Sequence, residues 1–454
     1  MKLFSGRDGP PLFSSQKVFV NFLLLVLCSQ FAFSVLAMRG ALLPQMLELW
    51  QISKTQFGVL MSIYGIVHNI FYLGLAWAQD RFSSRLLISV NMVLGGITTF
   101  FLGKTTDFTT LCFLFVMLSL WCEGAFWPAI LSAVRKSTSD NNQSKIFGLL
   151  EGGRGGVELL QNTLAVGLYT ALGYQVLGLE LAFMVNAGIM IVLGVISWFR
   201  LPRETLLKSG KDKKKANREV LAGMKLTLKL PEVWLAGAAG FAVYMAYTSL
   251  PFFLTYLDEL HSLPVLAVSI FGILSTSGGR IAVALPSGFI ADKFLGGAAG
   301  GIRAGLFLVI FLCGAMLMLT SNSSPWLAMT TMLGLAFLFF FMRALYFAPF
   351  GEMGLPPRFS GSVIAVAAFI IYLPSTFAYL LWGFILDNSE GIDGYRYLFV
   401  ILAFVSVIGV IIAHRLKDRL AKGAAKNIAI QIKRLDESLR LGGEEKTLSD
   451  QTNR

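Results

Sequence analysis

The sequence predicts an all-α membrane protein: twelve transmembrane helices in two pseudo-symmetric six-helix bundles. Three observations carry this. The 454 residues are 55% hydrophobic and only 14% charged, with a mean hydropathy of +0.68, whereas a soluble domain carries roughly a quarter charged residues. Apolar runs of about 20 residues, the length that crosses a bilayer's hydrocarbon, recur along the chain. One long basic link, 201–232, holds Lys211, Lys213, Lys214 and Lys215 and divides the runs six and six, the pattern of a two-fold transporter repeat.

The runs are 18–42, 55–78, 86–103, 109–133, 146–172 and 176–199, then 233–257, 264–291, 302–320, 326–350, 360–386 and 395–414. The expected layout is an N-terminal segment (1–17), a first bundle (18–200), the central loop (201–232), a second bundle (233–415) and a tail (416–454). The first run lacks a small-residue cleavage site and reads as a retained helix rather than a signal peptide. Basic residues set orientation. Alternate links hold Arg81 and Arg85; Arg135, Lys136 and Lys145; the central loop; Lys293 and Arg303; Arg358; and the tail from Arg415. The opposite links hold only Lys54, Lys104 and Arg396, beside acids such as Asp258, Glu259, Asp387, Glu390 and Asp393. Both termini are therefore expected in the cytoplasm of a multi-pass cytoplasmic-membrane protein. The net charge of +12 is topogenic and gives no reason to expect nucleic acid. Between Arg415 and about residue 440 the tail alternates basic and aliphatic residues, as in an amphipathic helix on an anionic leaflet or a solvated tail. Cys28, Cys112, Cys122 and Cys313 all fall in apolar runs, where cysteine behaves as a small hydrophobe; no disulfide or metal site is expected.

Charge enters two runs where hydrocarbon is expected: Glu123 in the fourth, and Glu151, Arg154 and Glu158 in the fifth. An ionisable group at that depth is expensive and marks a functional site by default. Glu151, Arg154 and Glu158 share one helix face. Gly152, Gly153, Gly155 and Gly156 beside them let a neighbouring helix approach. Either the three charges compensate one another, or Arg154 meets an anionic substrate while Glu158 or Glu123 carries a proton. Arginine keeps its proton, so a proton carrier has to be a carboxylate. Weaker signals have two readings each. Arg280 faces the cavity or snorkels out. His68 titrates or is satisfied at a helix contact. Gln161 and Asn162 bind a hydroxylated substrate or another helix. Glu352 pairs with Arg358 or with the Arg135 and Lys136 end.

The second link reads Ala76, Asp80, Arg81, Ser83 and Arg85, and the eighth reads Gly288, Asp292 and Lys293. An Asp beside a basic residue at a helix end, with a small residue four positions earlier, makes a latch between helices. These residues resemble the signature Gly-x-x-x-Asp-Arg-x-Gly-Arg of the major facilitator superfamily, with Ala76 and Ser83 in place of the first copy's glycines. The resemblance in topology spans about residues 18–415. It implies coupling or gating roles for Asp80, Arg81, Arg85 and Asp292, and Glu151 joins them as a candidate.

Glu123, Gly124, Trp127 and Pro128, followed by a glycine-rich fifth run, resemble the organophosphate:phosphate antiporter branch of that superfamily. By this alignment Arg154 falls on the branch's helix-five histidine and Arg39 on its phosphate-binding helix-one arginine. The branch's helix-seven arginine is missing from Val243–Tyr247, and Tyr72 stands at its helix-two lysine, which points to a divergent carrier. The fold so implied lines a central cavity with helices one, four, seven and ten, and hence with Arg39, Glu123, Tyr244, Tyr247 and Arg343. Arg343, Tyr346 and Pro349 repeat the charge–aromatic–proline order of Glu123, Phe126 and Pro128, one residue out of step. An ion pair between Glu123 and Arg343 across the cavity is therefore expected, either opened by an anion or proton or permanent.

The functional expectation is a monomeric secondary transporter moving a small organic anion (a sugar phosphate, sugar acid or carboxylate) by alternating access, in symport with protons or another co-ion. Arg39, Glu123, Arg154, Glu158, Tyr247 and Arg343 form the substrate site. A polyspecific exporter of hydrophobic cations and a non-transporting membrane sensor are the alternatives. The sequence has no phosphate loop for ATP and none of the zinc-protease or serine-hydrolase motifs. It has three histidines in all. Neither enzyme chemistry nor a cofactor is expected.

Overall fold

The computed structural model describes residues 12–74, 82–138, 143–202, 227–353 and 357–422, with Ile428 and Ile430, and the regular elements among them are all helical. We number the rods by pass. The first half comprises α1 (Gln16–Phe31, continued as Ser34–Trp50), α2 (Lys54–Gly74), α3 (Ser84–Leu102), α4 (Phe108–Arg135), α5 (Gln143–Ala171) and α6 (Val176–Arg200). The second half comprises α7 (Pro231–Tyr247, continued as Phe252–His261), α8 (Val265–Ile273, then Gly279–Ile290) and α9 (Ala298–Leu317). It continues with α10 (Pro325–Leu345, then Ala348–Glu352), α11 (Pro357–Tyr372, then Ala378–Asp387) and α12 (Asp393–Ala421). Nine described helices are long and apolar enough to cross a membrane, or ten with the two α1 segments, bent by 45°, taken as one span. The remaining rods, α2 and α5, carry His68 and Asn69, and Glu151, Arg154 and Glu158, whose polarity dilutes their hydropathy.

The helices nearest the centre are broken, and proline explains most of the breaks. Proline has no N–H for the carbonyl four residues back and its ring crowds that carbonyl. Pro128 follows a π turn at Leu120–Gly124 that carries Glu123; Pro251 follows the end of the first α7 segment at Tyr247. Pro349 follows the end of α10's first segment at Leu345, and Pro374 lies in the 3₁₀ turn Leu373–Thr376 of α11. Broken backbone at membrane depth is tolerated where protein or a cavity satisfies it. The α1 break has no proline; there the Cys122 thiol donates to the freed Ala32 carbonyl at 2.8 Å.

Within the first half α3 packs on α6, α2 on α4, and α5 on α1 and α6; within the second, α9 and α7 pack on α12 and α8 on α10. Between halves the close packing lies toward the end formed by the α1–α2, α7–α8 and α11–α12 links. There α2 lies on α11 so tightly that a Cβ on Gly65 would collide with the Ser375 carbonyl, and one on Gly383 with that of Lys54. Gly40 of α1 and Gly272 of α8 meet in the same way. Ionic contacts close this end: Lys54 to Glu259 at 2.6 Å, and the Thr55 amide donating to Asp387 at 2.6 Å. Among the described residues no comparable packing joins α4 to α10 or α11 toward the Arg135 end. Among the described residues the halves thus meet at one end and at mid-depth, where α5 lies on α8, and part toward the Arg135 end.

Candidate functional site

Three charged constellations occupy the middle of the molecule. The first ties the halves together. Arg280 of α8 donates to Glu158 at 2.8 Å and to Glu151 at 2.7 Å, both on α5. Arg154 donates to the other Glu151 oxygen at 2.9 Å, and its guanidinium lies 4.6 Å from the Trp127 ring centroid and 5.4 Å from that of Phe33. Gly155 allows this approach, since a Cβ there would touch Ile281 at 3.0 Å; Gly153 does the same against Val26 of α1. Gly152 and Gly156 face open space, so only two of the four glycines act as close-packing residues.

The second constellation is two arginines on tyrosines. Arg39 of α1 is buried, donates to the Leu36 carbonyl at 3.2 Å, contacts the Met61 sulfur at 3.2 Å and lies 4.8 Å from the Tyr379 ring centroid. Arg343 of α10 lies 4.1 Å from the Tyr247 ring centroid. Tyr247 packs against Tyr244, which packs against Tyr372 at 5.0 Å. Among the described residues neither arginine has a carboxylate partner. Arg39, Gly40, Glu158, Tyr247, Thr276 and Tyr379 line one small cavity, with about 20 Å³ of room, space for about one water molecule. Four guanidinium groups against three carboxylates leave this zone one positive charge in excess while His68 is neutral.

The third constellation is Glu123 with His68 Nδ1 at 3.2 Å and the Tyr64 hydroxyl donating at 3.2 Å. The π turn around Glu123 widens the helix there, a feature that clusters at functional sites. The His68 ring also meets Tyr372 of α11 edge-on at 5.4 Å.

Several sequence expectations change on this geometry. Glu123 and Arg343 do not pair: Glu123 is held within its own half by His68 and Tyr64, and Arg343 lies on Tyr247. Repeat symmetry placed them at similar depth but not on facing sides. Glu151, Arg154 and Glu158 do not compensate alone, because Arg280 completes the set from the other half. That partner was visible only as a lone arginine after Gly278 and Gly279, with no spacing to link it to α5. Gln161 donates to Asn186 of α6 at 2.7 Å, a helix contact. Glu352 caps α9 through the Ala298 amide at 3.2 Å rather than answering Arg135 or Lys136; the Arg358 side chain lies outside the described residues.

Asp80 and Arg81 also lie outside the described residues. Arg85 sits 4.6 Å over the Trp198 ring within the first half. Among the described residues Asp292 has no ion-pair partner, while Lys293 lies against the Phe289 and Phe294 rings at 5.3 and 5.4 Å. The side chain of Tyr72 lies outside the described residues.

Comparison with known proteins places this architecture. The chain is 27% identical to "Inner membrane protein YihN" of Escherichia coli (strain K12) over 419 residues, covering 92% of this chain and 99% of that one. It is 23% identical to "Inner membrane protein YqcE" of the same organism over 369 residues, 79% and 85% of the two chains. Among solved structures it is similar to a bacterial homolog of the human lysosomal transporter Spinster in an inward-facing, unoccupied conformation. There the TM-score is 0.71 at 15% identity, over 90% of this chain and 98% of that one. The nucleoside transporter NupG superposes with a TM-score of 0.70 at 14% identity, over 88% and 99%. The sequence model of the Major Facilitator Superfamily matches residues 22–379. The chain is therefore a multi-pass membrane transporter, and it belongs to the Major Facilitator Superfamily.

Proposed function

We propose that the protein is a secondary transporter of a small organic anion, a sugar phosphate, sugar acid or carboxylate, held between Arg39 of one half and Arg343 of the other. The observation that carries this is the state of those two guanidinium groups: among the described residues they lie on the rings of Tyr379 and Tyr247, Arg39 also on the Leu36 carbonyl and the Met61 sulfur, and neither meets a carboxylate. A buried charge without a counter-ion costs several kcal/mol. A cation–π contact returns about 0.5–2 kcal/mol, whereas each hydrogen bond to a charged acceptor is worth about 1.5–3 kcal/mol. A bidentate anion therefore displaces the rings. The cavity at Arg39 is too small for such an anion as it stands, so binding moves Tyr247 and Tyr379 aside.

With the Arg135 end cytoplasmic, as the basic loops imply, the parted end makes this the inward-open state. The α2–α11 seam holds the far side shut, and the clamp of Arg280 on Glu151 and Glu158 ties α8 to α5 at mid-depth in this state. An anion entering against a negative-inside potential needs a co-transported cation, since each charge is worth ~2.3 kcal/mol per 100 mV; a proton meets that need.

The test is a thermal-shift screen of the purified protein against a hexose phosphate, gluconate, citrate and lipophilic cations, because a ligand bound only by the folded state raises apparent stability. The reading expects one anion class to stabilise the protein and Arg343→Gln to remove the effect. Stabilisation by organic cations alone refutes it in favour of an exporter.

A further inference from the structure

We propose that an open groove between the start of α7 and the end of α12 binds an anionic glycerophospholipid, its phosphate on Lys229, Arg415 and Arg419 and its chains along Trp234, Leu235 and Ile412. Both helices belong to the second half, so the site exists whatever the cargo of the carrier.

The sequence builds this groove at headgroup level. α12 is 29 residues long, about 43 Å at 1.5 Å per residue, against about 30 Å of hydrocarbon. It turns polar at His414 and ends in Arg415, Lys417, Asp418 and Arg419, so its last turns leave the hydrocarbon. Ile412, Arg415 and Arg419 stand at i, i+3 and i+7 and share one face. That face passes from apolar to doubly basic within two turns. α7 packs on α12 and starts at the same end, with Pro231 as its first residue. The Trp234 indole N–H donates to the Leu228 carbonyl at 2.9 Å, which ties the incoming link to the helix and sets Lys229 on the groove wall. With its N–H satisfied, the half-exposed Trp234 ring offers an apolar body, as interfacial tryptophans do.

The groove has about 570 Å³ of room, within the ~300–1,000 Å³ of small-molecule sites. Its charges do not balance. Arg419 donates to Glu232 at 3.1 Å, but its side chain is 51% exposed, and a guanidinium has five N–H donors, so it keeps donors for a second acceptor. Lys229 and Arg415 are exposed, and among the described residues neither has an ion-pair partner. The neighbouring charges on α12 are engaged elsewhere: His414 meets Asp418 at 3.6 Å, and Lys417 donates to the Leu295 carbonyl at 2.9 Å. Three cations thus face one carboxylate.

A basic rim beside an apolar wall, at the level of the membrane interface, selects the occupant. A soluble phosphate uses only the rim. A phospholipid uses both, its phosphate oxygens meeting the guanidinium N–H groups while its chains cover Trp234, Leu235 and Ile412. A zwitterionic lipid brings its own cation to the three already present, so an anionic headgroup is favoured. The groove lies on the same side as the Arg135 end, which is the cytoplasmic leaflet in the orientation proposed above. Each basic residue strengthens attraction to an anionic headgroup about fivefold, so Lys229 and Arg415 together account for about twenty-five-fold.

Trp234 serves as the reporter. Full-length protein is placed in phosphatidylcholine vesicles containing increasing fractions of phosphatidylglycerol brominated on its chains, with brominated phosphatidylcholine as the zwitterionic reference. Bromine quenches a nearby indole, and the Trp234 signal is the difference between wild type and Trp234→Phe, which separates it from the other tryptophans among the eight. Half-quenching is expected at a mole fraction at least tenfold lower for phosphatidylglycerol than for the reference. The double variant Lys229→Gln with Arg415→Gln is expected to abolish most of that preference. Both side chains are exposed, so the core is untouched. Arg419 is left in place because Glu232, whose side chain is 9% exposed, depends on it. Lys229→Arg with Arg415→Lys keeps both charges and is expected to keep the preference. Equal quenching by the two lipids overturns the proposal. So does a preference that survives the glutamine variant, is lost in the charge-preserving one, or is abolished by excess inorganic phosphate.

Discussion

Replacing Arg280 with glutamine removes the guanidinium that ties α8 to α5 across the halves, and the structure sets the scale of the effect. Arg280 makes two charge-assisted bonds, to Glu158 at 2.8 Å and Glu151 at 2.7 Å. The Glu151 side chain is 52% exposed and keeps Arg154, so that bond contributes about 0.2–1 kcal/mol, as exposed pairs do. The Glu158 side chain is 11% exposed, and removing one partner of such a buried pair costs about 3–5 kcal/mol. The loss therefore falls mostly on Glu158. Because the clamp joins the halves in this state, the cost appears as a change in population: with about 1.4 kcal/mol per decade, a hundredfold to thousandfold shift toward states in which the closed end opens. Spin labels at Gln51→Cys and Asn388→Cys flank that end on opposite halves and are both exposed. A Cys112→Ser background leaves only buried native cysteines. The distance distribution is expected to lengthen in Arg280→Gln. A folded Arg280→Gln protein with the wild-type distribution refutes the clamp as a determinant of this state.

Further outcomes follow from the same geometry. Arg343→Lys keeps the charge but loses the planar fork, and is expected to bind the stabilising anion about tenfold to a hundredfold more weakly, by titration calorimetry. Tyr247→Leu removes the ring 4.1 Å from Arg343; with no ring to displace, anion affinity rises by up to about thirtyfold, and a fall contradicts the proposed displacement. Gly65→Val puts a side chain against the Ser375 carbonyl and should hold the labelled end open and abolish transport; normal uptake refutes the closed seam. Cys122→Ala leaves the Ala32 carbonyl without its 2.8 Å donor and is expected to cost about 1–3 kcal/mol of stability. Cys122→Ser, which restores a donor, should recover most of that loss in a melting experiment.

The sequence exposes some of this architecture and conceals the rest for identifiable reasons. Apolar runs foretell the rods, because they are a local property of the chain, whereas which prolines break a rod does not follow from the sequence, since Pro286 lies inside Gly279–Ile290 while Pro128, Pro251, Pro349 and Pro374 stand at breaks. Arg39 of α1, Tyr247 of α7 and Glu158 of α5 line one cavity, and the presence of α5 there was not part of what the resemblance implied. The pairings did not follow. Glu123 chooses His68 over Arg343 because the π turn at Leu120–Gly124 rotates its side chain toward α2, and no spacing rule registers an extra residue in a turn. Arg280 meets Glu158 across 122 positions of sequence. That contact depends on how the two halves are docked, which hydropathy does not report. The Asp80 and Arg81 half of the expected latch lies outside the described residues.

In the proposed carrier two guanidinium groups, one from each half and without a carboxylate partner among the described residues, hold the transported anion. The decisive measurement is uptake into proteoliposomes of the anion that stabilises the protein, by wild type, Arg39→Gln and Arg343→Gln. Saturable uptake by wild type is expected, with its loss in either variant while both variants remain folded. Anion uptake that survives both substitutions contradicts it.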